Sequence, residues 1–311
     1  MKYALPHIDV IGSGFTALDR IYTDGRFDTE SLGGSCGNVL VSLAWLSRQV
    51  APVLALGDDR EGEYLLHEFV SAGADTRYIH RRTGLRSPIL AQELDTRAGV
   101  HDFSFICPDT LSDLPRFHPI GDVELCAAKP ALSRCSVFYA DRLSESILEA
   151  MRTAWSAGAI VFFEPSQIED DHLFALAMGM VTILKYSNDR IDGQLTSDED
   201  GIVRIVTHGA AGLEVAGGGA SQWFEAVSAP QVLDTCGSGD MVSVGVIDWI
   251  IGNAFVREDL SLTKLTPGVA AGQRLAAENC AYAGARGLFH NKGSAYARRM
   301  LDATRSGPPC Y

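Results

Sequence analysis

Short apolar runs bounded by polar turns alternate along this chain with longer segments whose apolar residues recur at helical spacing. The runs at 8–11, 51–56, 137–140, 160–164, 181–184, 202–207 and 213–216 read as buried strands, and helical patterns intervene at 38–48, 61–72, 144–157, 240–253 and 266–281. Strand–helix alternation of this kind predicts an α/β protein. The rhythm breaks twice. Residues 20–32 are polar and turn-rich, while 87–95 and 99–106 are β-like and joined by Thr96-Arg97-Ala98, as in a hairpin. His101, Phe103 and Phe105 alternate onto one face there. These pieces are expected to pair as a small sheet, whose aromatic face either closes over a substrate or packs against the main domain or another subunit. No repeat, low-complexity tract or flexible linker interrupts the pattern.

The most informative stretch is 232–250, where Asp234-Thr235-Cys236-Gly237-Ser238-Gly239-Asp240 leads straight into an apolar helical pattern. Gly237 and Gly239 can adopt backbone angles that expose successive N–H groups, and the following helix adds its positive end. That combination makes an anion pocket. Asp240 is an odd cap for it, because its charge competes with the anion that the amides should hold. A carboxylate so placed is better explained as a base; the bland alternative is an ordinary helix start in an unrelated α/β protein. Upstream, Gly33-Gly34-Ser35-Cys36-Gly37-Asn38 precedes another apolar helical run. Its paired glycines let backbone approach a ligand closely, and the Asn38 amide can both donate to and accept from a hydroxyl.

These two segments resemble the signatures of the ribokinase-like, or PfkB, carbohydrate and nucleoside kinases, D-T-x-G-A-G-D and G-G-x-x-x-N. The resemblance implies an ATP-dependent enzyme that phosphorylates a primary hydroxyl of a sugar or nucleoside. It implies Asp240 as general base, the turn of Gly237, Ser238 and Gly239 as stabiliser of the transferring phosphoryl group, and Asp19, Gly33, Gly34 and Asn38 as acceptor-binding residues. Further segments match in order. Leu56 to Tyr64 and Gly73-Ala74-Asp75 are similar to the stretch between the family's second strand and its lid. Thr207-His208-Gly209-Ala210-Ala211-Gly212 looks like T-x-G-x-x-G, while Ala277-Glu278-Asn279-Cys280 and Gly284-Ala285-Arg286-Gly287 lie where the family flanks the adenine. The implied nucleotide-binding set is Ser187, Thr207, Gly209, Gly212, Asp234, Thr235 and Asn279. ATP and Mg²⁺ are the implied cofactors, with a monovalent cation such as K⁺ as a possible addition, and a homodimer through the lid is in keeping with them.

The resemblance spans about residues 8–290 and implies a ribokinase-like three-layer α/β/α main domain with a mostly parallel central sheet. By this reading 1–19, 33–85 and 116–311 form the main domain, and 20–32 with 86–115 form a small β lid inserted in it. Two departures stand out. After the strand at 181–184 the family shows N-x-x-E, whose acid helps to hold the water shell of Mg²⁺; here Lys185-Tyr186-Ser187-Asn188-Asp189-Arg190 places Ser187 and Arg190 at the aligned positions. Asn188 or Asp189 would then serve the metal after a small shift, or the metal would be held mostly by ATP phosphates. Ser238 replaces the usual alanine of the turn, a change that leaves backbone geometry intact.

Composition narrows the partners. The chain has 311 residues and a formal charge of −13, from 39 acids against 26 Lys and Arg, which argues against a broad nucleic-acid-binding face. It does not argue against ATP, whose charge is handled locally. The cysteines Cys36, Cys107, Cys126, Cys135, Cys236, Cys280 and Cys310 are odd in number and lack C-x-x-C spacing, a pattern of reduced thiols rather than a disulfide or zinc framework. No targeting segment is visible, and the apolar stretch near 241–256 contains Asp248 and is too short to span a bilayer, so a cytoplasmic protein without membrane partners is expected. Arg86, Arg97 and Lys185 are candidates for binding a phosphate already on the acceptor, although exposed basic residues are usually just solvated. Two rival functions remain. Gly12-Ser13-Gly14-Phe15-Thr16-Ala17 matches G-x-G-x-x-A after a strand and would suit an NAD-dependent oxidoreductase, but Thr23-Asp24-Gly25 interrupts where a crossover helix must follow. The missing N-x-x-E would suit a non-catalytic sugar or nucleotide sensor, against which the presence of Asp240 counts.

Overall fold

The computed structural model describes residues 7–95, 97, 100–191 and 201–306; Thr96 and Ala98 of the expected hairpin tip lie outside them, as does Cys310. Strand β1 (Ile8–Ser13) turns directly into an antiparallel ribbon, β2 (Ala17–Thr23) and β3 (Arg26–Gly33), before the first helix, α1 (Ser35–Trp45). A dinucleotide-binding unit needs a helix straight after its first strand, so the Gly12–Ala17 fingerprint lacks its structural context. Sequence offers no apolar strand ahead of Gly33; the polar stretch expected to join the small sheet supplies β3 instead. Its first four residues are exposed, and a solvated edge carries no apolar signal.

The chain continues through β4 (Val50–Pro52), β5 (Leu54–Gly57), α2 (Arg60–Ala72), β6 (Ile79–Arg82), β7 (Ile89–Asp95) and β8 (Val100–Ser104). Then come α3 (Asp122–Leu132), β9 (Cys135–Ala140), α4 (Glu145–Ser156), β10 (Ile160–Phe163), α5 (Asp171–Met178), β11 (Ile183–Ser187) and α6 (Asn188–Ile191). The last part comprises β12 (Val203–Thr207), β13 (Gly212–Gly217), β14 (Ala220–Glu225), α7 (Ser238–Gly252), α8 (Leu262–Asn279), α9 (Gly287–Lys292) and α10 (Ser294–Ser306).

Eight strands form the main sheet in the order β14-β13-β12-β11-β10-β9-β1-β4, parallel from β12 to β4 and antiparallel at the β13–β14 edge. Helices cover both faces, so its inner strands are mostly buried and largely apolar, with polar residues such as Lys185 and Ser187 toward their C-terminal ends. Alternate side chains enter two cores. Val10, Tyr139 and Phe162 join α1, α7 and α8 on one side, while Ile11, Phe138 and Phe163 join α3, α4 and α5 on the other. This is the ribokinase-like three-layer arrangement.

Some expected boundaries move. The run at 51–56 is two strands in different sheets: β4 ends at Pro52, which has no N–H to extend the ladder, and β5 pairs with β6. The strand expected at 181–184 begins at Ile183 and runs on to Ser187, because Lys185 and Ser187 hide its second half in the hydropathy pattern. The hydrophobic pattern does not announce helices α3, α5, α9 and α10 or strands β6 and β14.

A separate four-stranded sheet, β3-β2-β7-β8, lies over the site and begins at Ala17 rather than at residue 20. Its own small core holds Leu18, Tyr22, Ile89 and Ala91 with Cys107 and Leu114. The intervening residues Asp19, Ile21, Leu90 and Gln92 therefore share its other face. Helix α7, which carries Asp240, is clamped by α8: a Cβ added at Gly245 would lie 2.3 Å from the Gly272 Cα.

Candidate active site

The parallel strands all end at one edge of the main sheet, the edge where open α/β sheets bind ligands. Gly14, Asp141, Glu164, Ser187 and Thr207 sit there, at or just past the ends of β1, β9, β10, β11 and β12. Ser187 and Thr207 are register partners, so two of the expected nucleotide residues are brought side by side.

Asp240 occupies the first turn of α7 and is 7% exposed. Its Oδ2 accepts from Asn38 Nδ2 at 2.8 Å, a bond that unites the two signature segments. Burial pushes its carboxyl up to about 6, helped by the nearby Glu164 charge and opposed by Asn38, Lys185 and Ser35. Asp19 lies in the middle of β2, 4% exposed, with its carboxyl pushed up to about 7 by burial against the opposing charge of Arg286. The carboxylate rests on the backbone of Gly33, where any Cβ would fall 1.8 Å from Oδ2. A side chain at position 33 would therefore displace the Asp19 carboxylate. Asp19 Oδ1 and Asn38 Oδ1 are buried without a hydrogen-bond partner.

Two further acids, Asp141 and Glu164, lie at the site without a distinctive signal in sequence, and Lys185 takes a place there that sequence does not indicate. Asp141 accepts from the Phe15 N–H at 2.8 Å and is pushed up to about 7 by burial, partly offset by Arg142 and that N–H. Its signal was an acid just after an apolar strand, too common to single out. Lys185, 2% exposed, is paired through Nζ with Glu164, whose other oxygen accepts from Tyr139 at 3.0 Å and from Ser243. A Cβ at Gly239 would lie 3.5 Å from Lys185 Nζ, so a cation underlies the anion turn. Lys185 is thus buried and paired rather than solvated, whereas Arg86 and Arg97 are exposed.

The turn itself is tight. Gly237 has φ 72° and touches the backbone of Ala285, where a Cβ would approach to 2.6 Å. The Ser238 N–H is engaged by the Thr235 carbonyl at 3.2 Å, as is the Ser238 hydroxyl at 2.8 Å. The N–H groups of Gly237 and Gly239 stand where no earlier turn supplies a partner. Thr235 is exposed beside them, and Gly34, at the α1 start, crowds the Phe15 carbonyl.

Several expected nucleotide contacts are committed within the protein. Asp234 is fully buried and accepts from Cys236 N, Gly284 N and Gln92 Nε2 at 2.8, 2.8 and 3.2 Å. His101 lies 3.2 Å away, and although burial opposes it, His101 and the two N–H groups hold this carboxyl below its ordinary value. Asn279 accepts from Leu288 N and donates to the carbonyls of Cys236 and Gly284, tying three loops together. Gly212 is pressed against the Phe224 carbonyl of β14, while Gly209 has φ 56° in the turn before it. Arg286, in the segment expected to flank the adenine, sends its side chain beneath β3, donating to Leu32 O at 2.7 Å and Ser31 Oγ at 3.1 Å. Asn188 is half-buried and Asp189 exposed at the start of α6. Among the described residues, no three His, Cys, Asp or Glu side chains form a metal cage.

The family model for pfkB family carbohydrate kinases matches residues 23–287. A fructokinase of Vibrio alginolyticus is 26% identical over 234 residues, covering 69% of this chain and 75% of the relative. An ATP-dependent ribose-1-phosphate kinase of Halopiger xanaduensis is 24% identical over 267 residues, covering 80% and 83%. Among solved structures, a Xylella fastidiosa fructokinase with bound ATP superposes with TM-score 0.73 at 18% identity, over 94% of this chain and 99% of that one. A Giardia lamblia ribokinase gives 0.75 at 13% identity, over 97% and 99%.

Proposed function

The chain belongs to the pfkB family of carbohydrate kinases, and from that premise we propose that it transfers the terminal phosphoryl group of ATP to a primary hydroxyl of a sugar or nucleoside, with Asp240 as general base. The observation that carries this reading is the 2.8 Å bond from Asn38 to Asp240, which sets an acceptor-binding amide beside the base. A carboxylate near 6 is ionised at neutral pH yet basic enough to take a proton in the transition state. The acceptor oxygen attacks the terminal phosphorus as its proton passes to Asp240. The bond from that phosphorus to its bridging oxygen breaks, and ADP leaves.

The Gly237 and Gly239 amides and the Lys185 ammonium face the charge that develops on the transferring group, the stabilisation that dominates phosphoryl transfer. Mg²⁺, when bound with the nucleotide, would supply further charge neutralisation. Asn188 and Asp189 are the side chains proposed to order its water shell. Asp19, with its carboxylate over Gly33, orients acceptor hydroxyls, and the β3-β2-β7-β8 sheet excludes water that would otherwise take the phosphate.

The test is ADP release across a panel of sugars and nucleosides. Asp240→Asn should lower turnover by about 10² to 10⁴ while ATP binding persists. Turnover within about threefold of the parent would remove Asp240 from the mechanism. Acceptor binding without ADP release by the unsubstituted chain would favour the sensor reading, to which the absent N-x-x-E lends its support.

A further inference from the structure

Gln92 is fully buried in β7, on the face of the lid sheet that carries Asp19. Glutamine is seldom buried so completely without a task. Its Nε2 donates to Asp234 Oδ2 at 3.2 Å, while its Oε1 has no partner. Asp234 accepts from two main-chain N–H groups as well, so it acts as an acceptor and the Gln92 amide can face it only through nitrogen. The atom left over is therefore an acceptor. The same logic applies to Asn38, whose nitrogen is fixed by Asp240 and whose Oδ1 is unpartnered; Oδ1 of Asp19 is unpartnered as well. Leaving such oxygens dry and unpaired is costly, which marks them as waiting for donors. Arg286, whose charge acts on Asp19, keeps Nε and Nη1 free and can donate to the same groups.

We infer that Gln92 is a specificity-determining residue of the acceptor site: its Oε1 takes a hydrogen bond from a hydroxyl of a neutral, polyhydroxylated acceptor, and the site rejects acceptors that carry a carboxylate or phosphate there. Hydroxyls satisfy this surface because each donates to an oxygen and can accept from Arg286. An anionic group has no proton to give to Gln92 or Asn38, and it meets the buried carboxyl groups of Asp19, Asp141 and Asp240, while the nearby cations are already set against acids, Arg286 against Glu68 and Asp19 and Lys185 against Glu164. Mismatch of that kind discriminates through unpaired buried groups rather than lost contact area. Through Asp234 the same amide ties the lid to the anion turn, so recognition and closure involve one side chain.

The inference rests on the kinase reading, and the experiment separates the two. Acceptors are offered in matched pairs, ribose with ribonate and glucose with gluconate, together with inosine, and kcat/KM is measured by ADP release at saturating MgATP. Neutral members should be preferred by about tenfold or more, on the order of one well-made hydrogen bond. Gln92→Met should raise the KM of the best neutral acceptor by about tenfold and leave the KM for ATP within about twofold. Gln92→Lys keeps a donor for Asp234 but offers no acceptor, so it should show the same loss. Wild-type acceptor KM in the lysine variant would reduce Gln92 to a tether and overturn the inference, as would preference for the anionic partner. Should the methionine variant fail to fold, the lysine variant and the matched pairs still decide. Absence of ADP with every acceptor would sink the kinase reading and this inference with it.

Discussion

Asn38 and Asp240 stand 202 residues apart in the chain and are joined by a single 2.8 Å hydrogen bond in its buried centre. The bond fixes which end of the amide faces the acceptor, and it stabilises the ionised form of the carboxylate. Asn38→Ala removes one of the groups that lower the Asp240 pKa, leaving burial and Glu164 to raise it. In the parent, activity should fall as the pH drops through about 6, where Asp240 takes up a proton. In the variant that acid limb of kcat/KM should move to higher pH, with a raised acceptor KM. Superimposable pH–rate limbs would mean that the bond does not tune the base.

The buried acids should also make stability depend on pH in an unusual sense. Asp19 and Asp141 are raised from 3.8 to about 7 in the folded chain. Between those values the folded state keeps protons that the unfolded state has released, so stability falls as the pH rises through this window. Asp141→Asn retains an acceptor for the Phe15 N–H and deletes one titrating group. Its melting temperature should drop less than the parent's between about pH 5 and about pH 8, and should exceed the parent's at the upper end. Parallel melting curves across that range would contradict the raised value.

How much of this was legible beforehand depended on how local the chemistry was. Gly33, Gly34, Asn38 and the Asp234–Asp240 turn are contiguous strings whose spacing carries their meaning, and both strings meet in space. Lys185, Glu164 and Ser243 acquire their roles only when β10, β11 and α7 come together, at separations of 21 and 79 residues. No period or motif encodes such a meeting. Gln92 and Asp234 are 142 residues apart and read separately as a polar strand position and a signature acid. Asp234 and Asn279 look like ligand contacts in sequence because loop-tying and ligand-binding use the same polar side chains. Edge strand β14 escapes because exposure replaces its apolar letters with polar ones, and the β2–β7 pairing that places Asp19 in the lid is a parallel, long-range contact.

Close packing of α7 on α8 gives a stability prediction. A Cβ at Gly272 would lie 2.6 Å from the Val242 carbonyl and 2.7 Å from its Cα, atoms of a backbone that cannot swing aside. Gly272→Ala should therefore destabilise despite the better helix propensity of alanine, by about 1–3 kcal/mol from overpacking. Since α7 carries Asp240, kcat should fall together with the denaturation midpoint. A variant as stable as the parent would show that the two helices can separate freely.

The pair of Lys185 and Glu164 yields the most discriminating test of the anion turn. Lys185 is nearly inaccessible and lies under Gly239, and its charge lowers the Asp240 pKa while that of Glu164 raises it. Lys185→Met leaves Glu164 without its cation in a poorly solvated place, a loss that typically costs about 3–5 kcal/mol. It also removes the positive charge beneath the turn and raises Asp240 further. Turnover at neutral pH should drop by about 10² or more, in the range seen when a charge-stabilising group is lost from a transition state. In the double variant Lys185→Met/Glu164→Gln the stranded charge is gone, so the melting temperature should largely recover. If Lys185 serves the transferring phosphoryl group, kcat stays low in that stable double variant. If the pair is purely structural, activity returns with stability, and the chemistry must then rest on the Gly237 and Gly239 amides and the metal-bound nucleotide alone.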